Sequence, residues 1–433
     1  AMSGAGWWNL PATNFPIGLW GIRGSLEAFG QVNEWTARFF PACAGTLAPA
    51  VLAWALACVL GNRRALAAGL FLAVHPWHVQ WSQNARAYAP MVLFLILFLG
   101  WTLRAARNRG TGFVCAGGGA LAVSVLTHPT ALLPAAGLLL PGIRRHWRDH
   151  LRLPILWASG AAGLILIAGP AWEALQTHID QKGRPSPVLF AQTVAWFGNV
   201  PFLAIAALSA AAGWKGRDRT ARFLTESGWG ALLLGFGASL LFRVNAQYVL
   251  GALPALCGLA GRIVPEPGAR GREARTRWGM CAVALAALTV QTGLYFGPYH
   301  GVRGHWREAC AYVWTHRQPA DVVVSNQAPV AEFYLGGDTE VRKGTAVRVL
   351  GPQHSGEFLD PRGRVARGDI LHEWGRGGGR IWLIVNESVF DDWPATDRRR
   401  VKKRLHDEAT VPFERPLRMA GKDLTVKVFL LEG

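Results

Sequence analysis

A mainly α architecture, a polytopic bundle of about ten membrane-crossing helices followed by an extracytoplasmic α/β domain, is what this sequence predicts. Three observations predict it. Hydrophobic residues fill 51% of the 433 positions and charged residues only 17%, with 20 tryptophans, a balance unlike that of an ordinary soluble domain. Uncharged runs of the ~17 to 25 residues that a hydrocarbon core demands recur before residue 300 and stop after Arg303. Arginine and lysine gather between those runs in a regular alternation.

The uncharged runs are Phe39 to Gly61, Ala65 to Asn84, Ala87 to Leu103, Gly112 to Ile143, Ile155 to Trp172, Val188 to Trp214, Ser227 to Phe242, Val244 to Gly261 and Trp278 to Gly297. Gly112 to Ile143 is too long for one span, and Thr127, His128, Pro129 and Thr130 at its middle suit a reversal, so it reads as a hairpin. Basic clusters then fall two crossings apart: Arg63 and Arg64; Arg104, Arg107 and Arg109; Arg144, Arg145, Arg148 and Arg152; Lys215, Arg217, Arg219 and Arg222; and Arg262, Arg270, Arg272, Arg275 and Arg277. All five lie on one side, and the charge rule makes that side the cytoplasm.

The same alternation accounts for a formal charge of +18 and excludes a nucleic-acid partner. The first 302 residues carry 24 Lys and Arg against 9 Asp and Glu, whereas the remainder carries 21 against 18. The excess sits in short loops rather than on one helix face. Cys43, Cys58, Cys115, Cys257 and Cys281 lie in apolar runs and read as packing residues; with Cys310 they make no disulfide framework and no zinc spacing.

With the clusters inside, residues 1 to about 38 and 303–433 lie outside, dividing the chain into a membrane domain, 1–302, and an external domain, 303–433. No signal peptide precedes the first segment, so an upstream span and loop are expected beyond residue 1. The external domain alternates: helices over His305 to His316, Gly368 to Gly375 and Thr396 to Glu408, and strands over Asp321 to Asn326, Thr345 to Leu350 and Arg380 to Glu387. Val411 to Leu417 and Leu424 to Glu432 close it as two strands joined through Gly421.

Polar groups near a bilayer are costly, and here they collect at the outer hairpin tips. One tip carries His75, Trp77, His78, Gln80, Trp81, Ser82, Gln83, Asn84, Arg86 and Tyr88; another His128; another Glu173, His178, Asp180, Lys182 and Arg184; another Arg243, Asn245, Gln247 and Tyr248. The tryptophans also suit an interfacial belt. Arg86 either snorkels to headgroups or binds a phosphate with its planar fork, and Gln83 and Asn84 beside it favour the site. His128 either caps a tight hairpin or meets substrate. Glu34 and Arg38, four residues apart, either pair at a helix start or face the same external cavity.

Three stretches resemble the polyprenyl-phosphate-dependent glycosyltransferases of the C-type membrane fold, the group that includes protein O-mannosyltransferases and aminoarabinose transferases. Leu10 to Ile17 (LPATNFPI) with Glu34 to Pro41 (EWTARFFP) is similar to a His-Pro-Pro segment followed by Glu-x-x-x-Arg at the start of a span. His75 to Ala89 (HPWHVQWSQNARAYA) resembles the Ser-Gln-Glu-Ala-Arg-x-Tyr-Ala signature, and Thr127 to Thr130 (THPT) a Thr-His-x-Thr turn. Gln247 to Pro254 (QYVLGALP) is similar to a late Arg-Tyr-x-x-x-x-x-Pro span.

The resemblance implies an inverting transfer from a polyprenyl-phosphate sugar to an extracytoplasmic acceptor at a bacterial plasma membrane, with membrane lipid as a partner and a divalent cation admitted. Glu34, Arg38, Gln83, Asn84, Arg86, Tyr88, His128, Gln247 and Tyr248 are the residues it places in substrate binding, with Arg86 on the phosphate. It also implies a base carboxylate on the first external loop. Nothing acidic precedes Glu27, so that carboxylate is expected upstream of residue 1. Asn84 stands for the family's Glu, Asn14 stands near its His, and Gln247 stands for its Arg. A divergent non-catalytic member and a transporter of lipid-linked sugar are the alternative readings.

Overall fold

The computed structural model describes residues 16–31, 33–108, 111–136, 185, 187–242, 244–266, 268–297, 305–318, 321–325, 330–331, 334–335, 349–350, 380–386, 410–413 and 425–432. The chain divides into two compact units, Ala1–Leu294 and Tyr295–Gly433.

In the first unit the helices follow the apolar runs. They are α1 (Pro16–Phe29), α2 (Glu34–Leu60), α3 (Asn62–Val74), α4 (Pro76–Ser82), α5 (Tyr88–Asn108), α6 (Thr111–Thr127), α7 (Pro187–Gly198), α8 (Val200–Lys215), α9 (Arg219–Ser239), α10 (Leu253–Gly261) and α11 (Arg272–Phe296), with 3-10 turns at Pro129–Ala131 and Ala246–Ala252. Asn33 opens α2 with a reciprocal cap: its side chain accepts from the Thr36 amide at 2.9 Å while Thr36 Oγ1 accepts from the Asn33 amide at 3.1 Å. Gly61, at φ 76°, ends α2 and lets α3 fold back within a single residue.

Two runs expected as single spans are broken. Ala65 to Asn84 divides at His75 into α3 and α4, and Val188 to Trp214 divides at Asn199 into α7 and α8, which meet at 89°. The cause is local in both cases. Pro76 and Pro201 have no amide hydrogen to continue a helix, and each follows a polar residue able to start a new one. His75 Nδ1 accepts from the Trp77 amide at 3.3 Å, and Asn199 Oδ1 from the Phe202 amide at 3.1 Å. The break expected within Gly112 to Ile143 falls at His128, where Nδ1 accepts from the Thr130 amide at 3.2 Å.

By length and composition, α2, residues 88–105 of α5, and α11 can each cross a membrane; α7 and α8 add a fourth crossing if they form one broken span. These are counts among the described residues; the apolar stretches at 137–172 and the third basic cluster lie outside them. Leu52, Leu56, Leu72, Leu95, Leu99, Leu224, Leu250 and Leu253 are fully buried between the helices, while Leu47, Leu66, Leu70, Leu208, Leu233, Leu241, Val283 and Val290 point outward. An apolar exterior over an apolar interior is the surface a lipid solvent permits. Cys257 and Cys281 are packed as expected, but Cys43 and Cys115 are exposed, and no disulfide links Cys43, Cys58, Cys115, Cys257 or Cys281.

Basic side chains stitch one pole of the unit together. Arg104 donates to the Trp54 carbonyl at 2.8 Å and lies 3.7 Å above its ring, and Arg107 donates to the Cys58 carbonyl at 2.7 Å. Arg64 donates to the Val264 carbonyl at 3.0 Å and pairs with Glu266, and Arg262 pairs with Asp218 at 2.6 Å. Asp218 also caps α9 through the Thr220 and Ala221 amides. Tyr88 opens α5, whose far end carries Arg104 and Arg107; at ~1.5 Å per residue the two poles stand more than ~20 Å apart.

The second unit holds α12 (Trp306–His316), β1 (Val322–Ser325), β2 (Val349–Leu350), β3 (Arg380–Asn386), β4 (Thr410–Phe413) and β5 (Val426–Glu432) in a sheet ordered β2-β1-β3-β5-β4. The first three strands are parallel, and β5 pairs antiparallel with both β3 and β4, as the expected closing pair of strands requires. Ala309, Cys310 and Val313 of α12 pack against Trp382, Ile384, Val426 and Val428. Asp321 accepts from Trp382 Nε1 at 2.7 Å and from the Gln318 amide at 2.8 Å, which ties the approach to β1 onto β3. The expected helices Gly368 to Gly375 and Thr396 to Glu408, and the turn at Gly421, lie outside the described residues.

The break at Asn199 yields a stability prediction. Asn199 has φ 60°, caps α8, and donates to the Ala287 carbonyl and Gln291 Oε1 at 3.2 and 2.7 Å. Asn199→Ala is expected to destabilise the protein by about 2 kcal/mol, and Asn199→Gly by less, because glycine keeps the left-handed backbone. Chemical unfolding in detergent measures both.

Candidate functional site

The pole opposite the arginines is assembled by the broken helices. α4 is a single short helix seated on α2: His78 Nε2 lies 3.0 Å from the Gly45 carbonyl oxygen, and Ser82 occupies the space that a side chain on Gly45 would need. His75 at its start meets Phe202 edge-on at 5.1 Å, and Trp77 stacks on Phe197 at 6.1 Å, so the α7–α8 bend buttresses α4 from the other side. The chain then runs through Gln83 and Arg86 to Tyr88, the first residue of α5.

Four aromatic rings, from α4, the start of α5 and the two 3-10 turns with their caps, follow one another there. Trp81 lies 4.4 Å from Tyr88, Tyr88 lies 4.5 Å from His128, and His128 lies 6.2 Å from Tyr248, centroid to centroid. Tyr88, His128 and Tyr248 are each at most 9% exposed, so the row is part of the packed interior. Hydrogen bonds orient it. The Gln247 side chain bonds with the Tyr88 hydroxyl, Asn245 Nδ2 reaches the Tyr248 hydroxyl at 3.5 Å, and Thr130 Oγ1 contacts His128 Nδ1 at 2.7 Å. Because Nδ1 accepts from the Thr130 amide, the hydrogen of a neutral His128 ring stands on Nε2, which faces away from the cap.

α1 lies over this segment. A side chain on Gly18 would meet the Ala87 methyl and approach the Thr127 carbonyl at 3.3 Å, placing the helix against the neighbours of both Arg86 and His128.

The structure thus brings Tyr88, His128, Gln247 and Tyr248 together. Arg86 stands at the edge of the group, exposed, and its charge reaches the Tyr88 hydroxyl. Asn84 turns its amide back onto the Gln80 carbonyl at 3.0 Å, and the Arg86 amide bonds with the Asn84 carbonyl at 2.7 Å, so Asn84 shapes the loop that presents Arg86. Gln83, half-buried, ends α4 by donating its amide to the Val79 carbonyl at 3.2 Å. Glu34 and Arg38 form an ion pair at 2.8 Å in the first turn of α2. Glu173, His178, Asp180, Lys182, Arg184 and Arg243 lie outside the described residues.

Among the described residues no three His, Cys, Asp or Glu side chains converge as a metal site. Glu27 and Glu34, the first two carboxylates of the chain, are each paired with an arginine, Arg23 and Arg38. The parts present are hydrogen-bond donors, aromatic faces and one exposed guanidinium, which suit binding a phosphate and a sugar ring.

His75 and His78 were legible as polar residues at a tip, and Asn199 lay inside a run read as one span; the roles of all three in holding the site were missed. For His75 and Asn199 the signal is a polar cap with proline one or two residues on; for His78 it is Pro49, far away on another helix.

Residues 11–172 match the family model described as dolichyl-phosphate-mannose-protein mannosyltransferase. No curated protein matches the chain. Among solved structures, the chain is similar to ArnT from Cupriavidus metallidurans in the apo state, with a TM-score of 0.61 at 15% identity over 96% of this chain and 87% of that one. It is equally similar to ArnT from the same organism bound to undecaprenyl phosphate, at 16% identity over 97% and 88% of the two chains, again with a TM-score of 0.61.

Exposure separates two kinds of site residue. Arg86→Ala is expected to leave stability within about 0.5 kcal/mol of the parent, whereas Tyr88→Ala, which removes a ring packed between Trp81 and His128, is expected to cost about 3 kcal/mol or more. Unfolding of both variants under one set of detergent conditions checks the contrast.

Proposed function

We propose, starting from a chain that has the fold of the C-type membrane glycosyltransferases, that it transfers a sugar from a polyprenyl-phosphate donor to an extracytoplasmic acceptor. The observation that carries this reading is the convergence of Tyr88, His128, Gln247 and Tyr248, with Arg86 exposed at their edge, at the pole opposite the arginine clusters. A positive-inside chain puts that pole outside, where lipid-linked sugars replace nucleotide sugars as donors. Residues 1–302 are then the transferase domain and 303–433 an extracytoplasmic domain at a bacterial inner membrane. The similar ArnT bound to undecaprenyl phosphate supports a lipid phosphate as the ligand class.

In this reading Arg86 holds the donor phosphate, first within the intact donor and then as the leaving group on which charge develops. His128 Nε2–H and the Tyr248 hydroxyl donate to the same phosphate or to the sugar hydroxyls beside it, and the aromatic row offers a face to the ring. Glu34 and Arg38, paired in the first turn of α2, would face the same external cavity. The acceptor, a lipid, glycan or protein hydroxyl or amine, attacks the anomeric carbon from the opposite face, inverting it, as its proton passes to a base. No described residue is assigned as that base.

A second reading rests on the 89° break between α7 and α8. Broken helices beside a polar site are also how transporters bind substrate, and movement of an intact lipid-linked sugar would replace transfer.

Transfer from a radiolabelled polyprenyl-phosphate sugar in membranes containing the protein tests the proposal, with labelled acceptor expected and movement of intact donor across the bilayer pointing to transport. Arg86→Ala is expected to raise KM for the donor by about tenfold to a hundredfold, with Arg86→Lys in between because a point charge replaces a bidentate fork. His128→Ala is expected to lower kcat by about tenfold. Unchanged kinetics in both would remove the phosphate site from this pole.

A further inference from the structure

Proline at position 49 takes an amide out of the middle of α2. In an α-helix the amide of residue i donates to the carbonyl of residue i−4, so Pro49 leaves the Gly45 carbonyl without its helical partner. Gly45 is buried, and in a membrane protein such a group has to be satisfied from within the protein. The partner is His78 of α4, whose Nε2 stands 3.0 Å from the Gly45 oxygen. A carbonyl only accepts, so Nε2 carries the hydrogen. His78 is 3% exposed, and its Nδ1 is buried with no hydrogen-bond partner among the described residues.

The bond does more than close a gap in α2. Ser82, one turn further along α4, donates to the His78 carbonyl at 2.7 Å and fills the space left by the missing side chain of Gly45. Both contacts fall at one point of α2, and from that point the chain continues directly through Gln83, Asn84 and Arg86 into Tyr88. We infer that His78 is a positioning residue: by bonding to the carbonyl that Pro49 leaves open, it pins α4 to α2 and so sets where Arg86 and Tyr88 meet the donor phosphate. The inference rests on the assignment of Arg86 to that phosphate.

The test must separate holding the loop from satisfying a carbonyl. His78→Leu removes both functions. Pro49→Ala in that background returns an amide to the Gly45 carbonyl within α2 and leaves α4 untethered, while His78→Gln keeps an N–H donor near the same place. Thermal unfolding, donor KM and kcat are read together with hydrogen exchange of residues 83–88. His78→Leu is expected to lower Tm, raise KM about tenfold and speed exchange of the segment, with His78→Gln recovering most of all three. His78→Leu/Pro49→Ala is expected to recover Tm while KM and exchange stay at the His78→Leu values.

Recovery of KM and exchange along with Tm would overturn the inference, because His78 would then serve the carbonyl alone. Faster exchange with an unchanged KM would also overturn it, because the segment would then not set donor binding. If the parent transfers no sugar from any polyprenyl-phosphate donor offered, the functional proposal falls by itself. Exchange of residues 83–88 still decides the tether in that case: faster exchange in both Leu variants supports it, and unchanged exchange overturns it.

Discussion

A helix broken inside a bilayer exposes amides and carbonyls that no water will meet, so each break has to be closed by the protein itself. That constraint organises the first unit. His75, His128 and Asn199 stand at three breaks, each accepts from an amide two or three residues ahead, and each is followed within two positions by a proline that has no amide to leave open. The fourth gap, at the Gly45 carbonyl beneath Pro49, is closed by a side chain from a different helix. Polar residues are therefore concentrated at one pole because the chain changes direction there, and the bonds that make the turns also place the rings of Tyr88, His128 and Tyr248 in a row.

The opposite pole solves a different problem with different residues. Arg64, Arg104, Arg107 and Arg262 spend their donors on carbonyls and carboxylates in or near the helix ends, so these basic residues tie the loops of that pole down. Arg86 contrasts with them. It is exposed, set on a loop shaped by Asn84, and placed near the buried Tyr88 hydroxyl. Packing explains the four arginines of the first group; Arg86 would serve the proposed donor phosphate.

Much of this was legible in the sequence, and what was missed has a physical reason. Apolar run length and charge alternation located the helices, and strand pattern anticipated β1, β3 and β5 closely. Single spans were expected at Ala65 to Asn84 and Val188 to Trp214 because hydropathy is blind to a change of direction; the His-Pro and Asn-Val-Pro signals were present but carry no apolar contrast. Of the site residues, Tyr88, His128, Gln247 and Tyr248 come together in the structure, and Asn84 donates its side-chain amide to the Gln80 carbonyl. The role of His78 could not be read locally, since the proline that calls for it lies 29 positions earlier.

Photocrosslinking with a polyprenyl-phosphate probe that bears its reactive group beside the phosphate reports where the phosphate sits without requiring turnover. Adducts on residues 83–88 or on Gln247 and Tyr248, displaced by unlabelled polyprenyl phosphate, are expected if the aromatic pole holds the donor. Adducts confined to the pole of Arg64, Arg104 and Arg262 would contradict that placement.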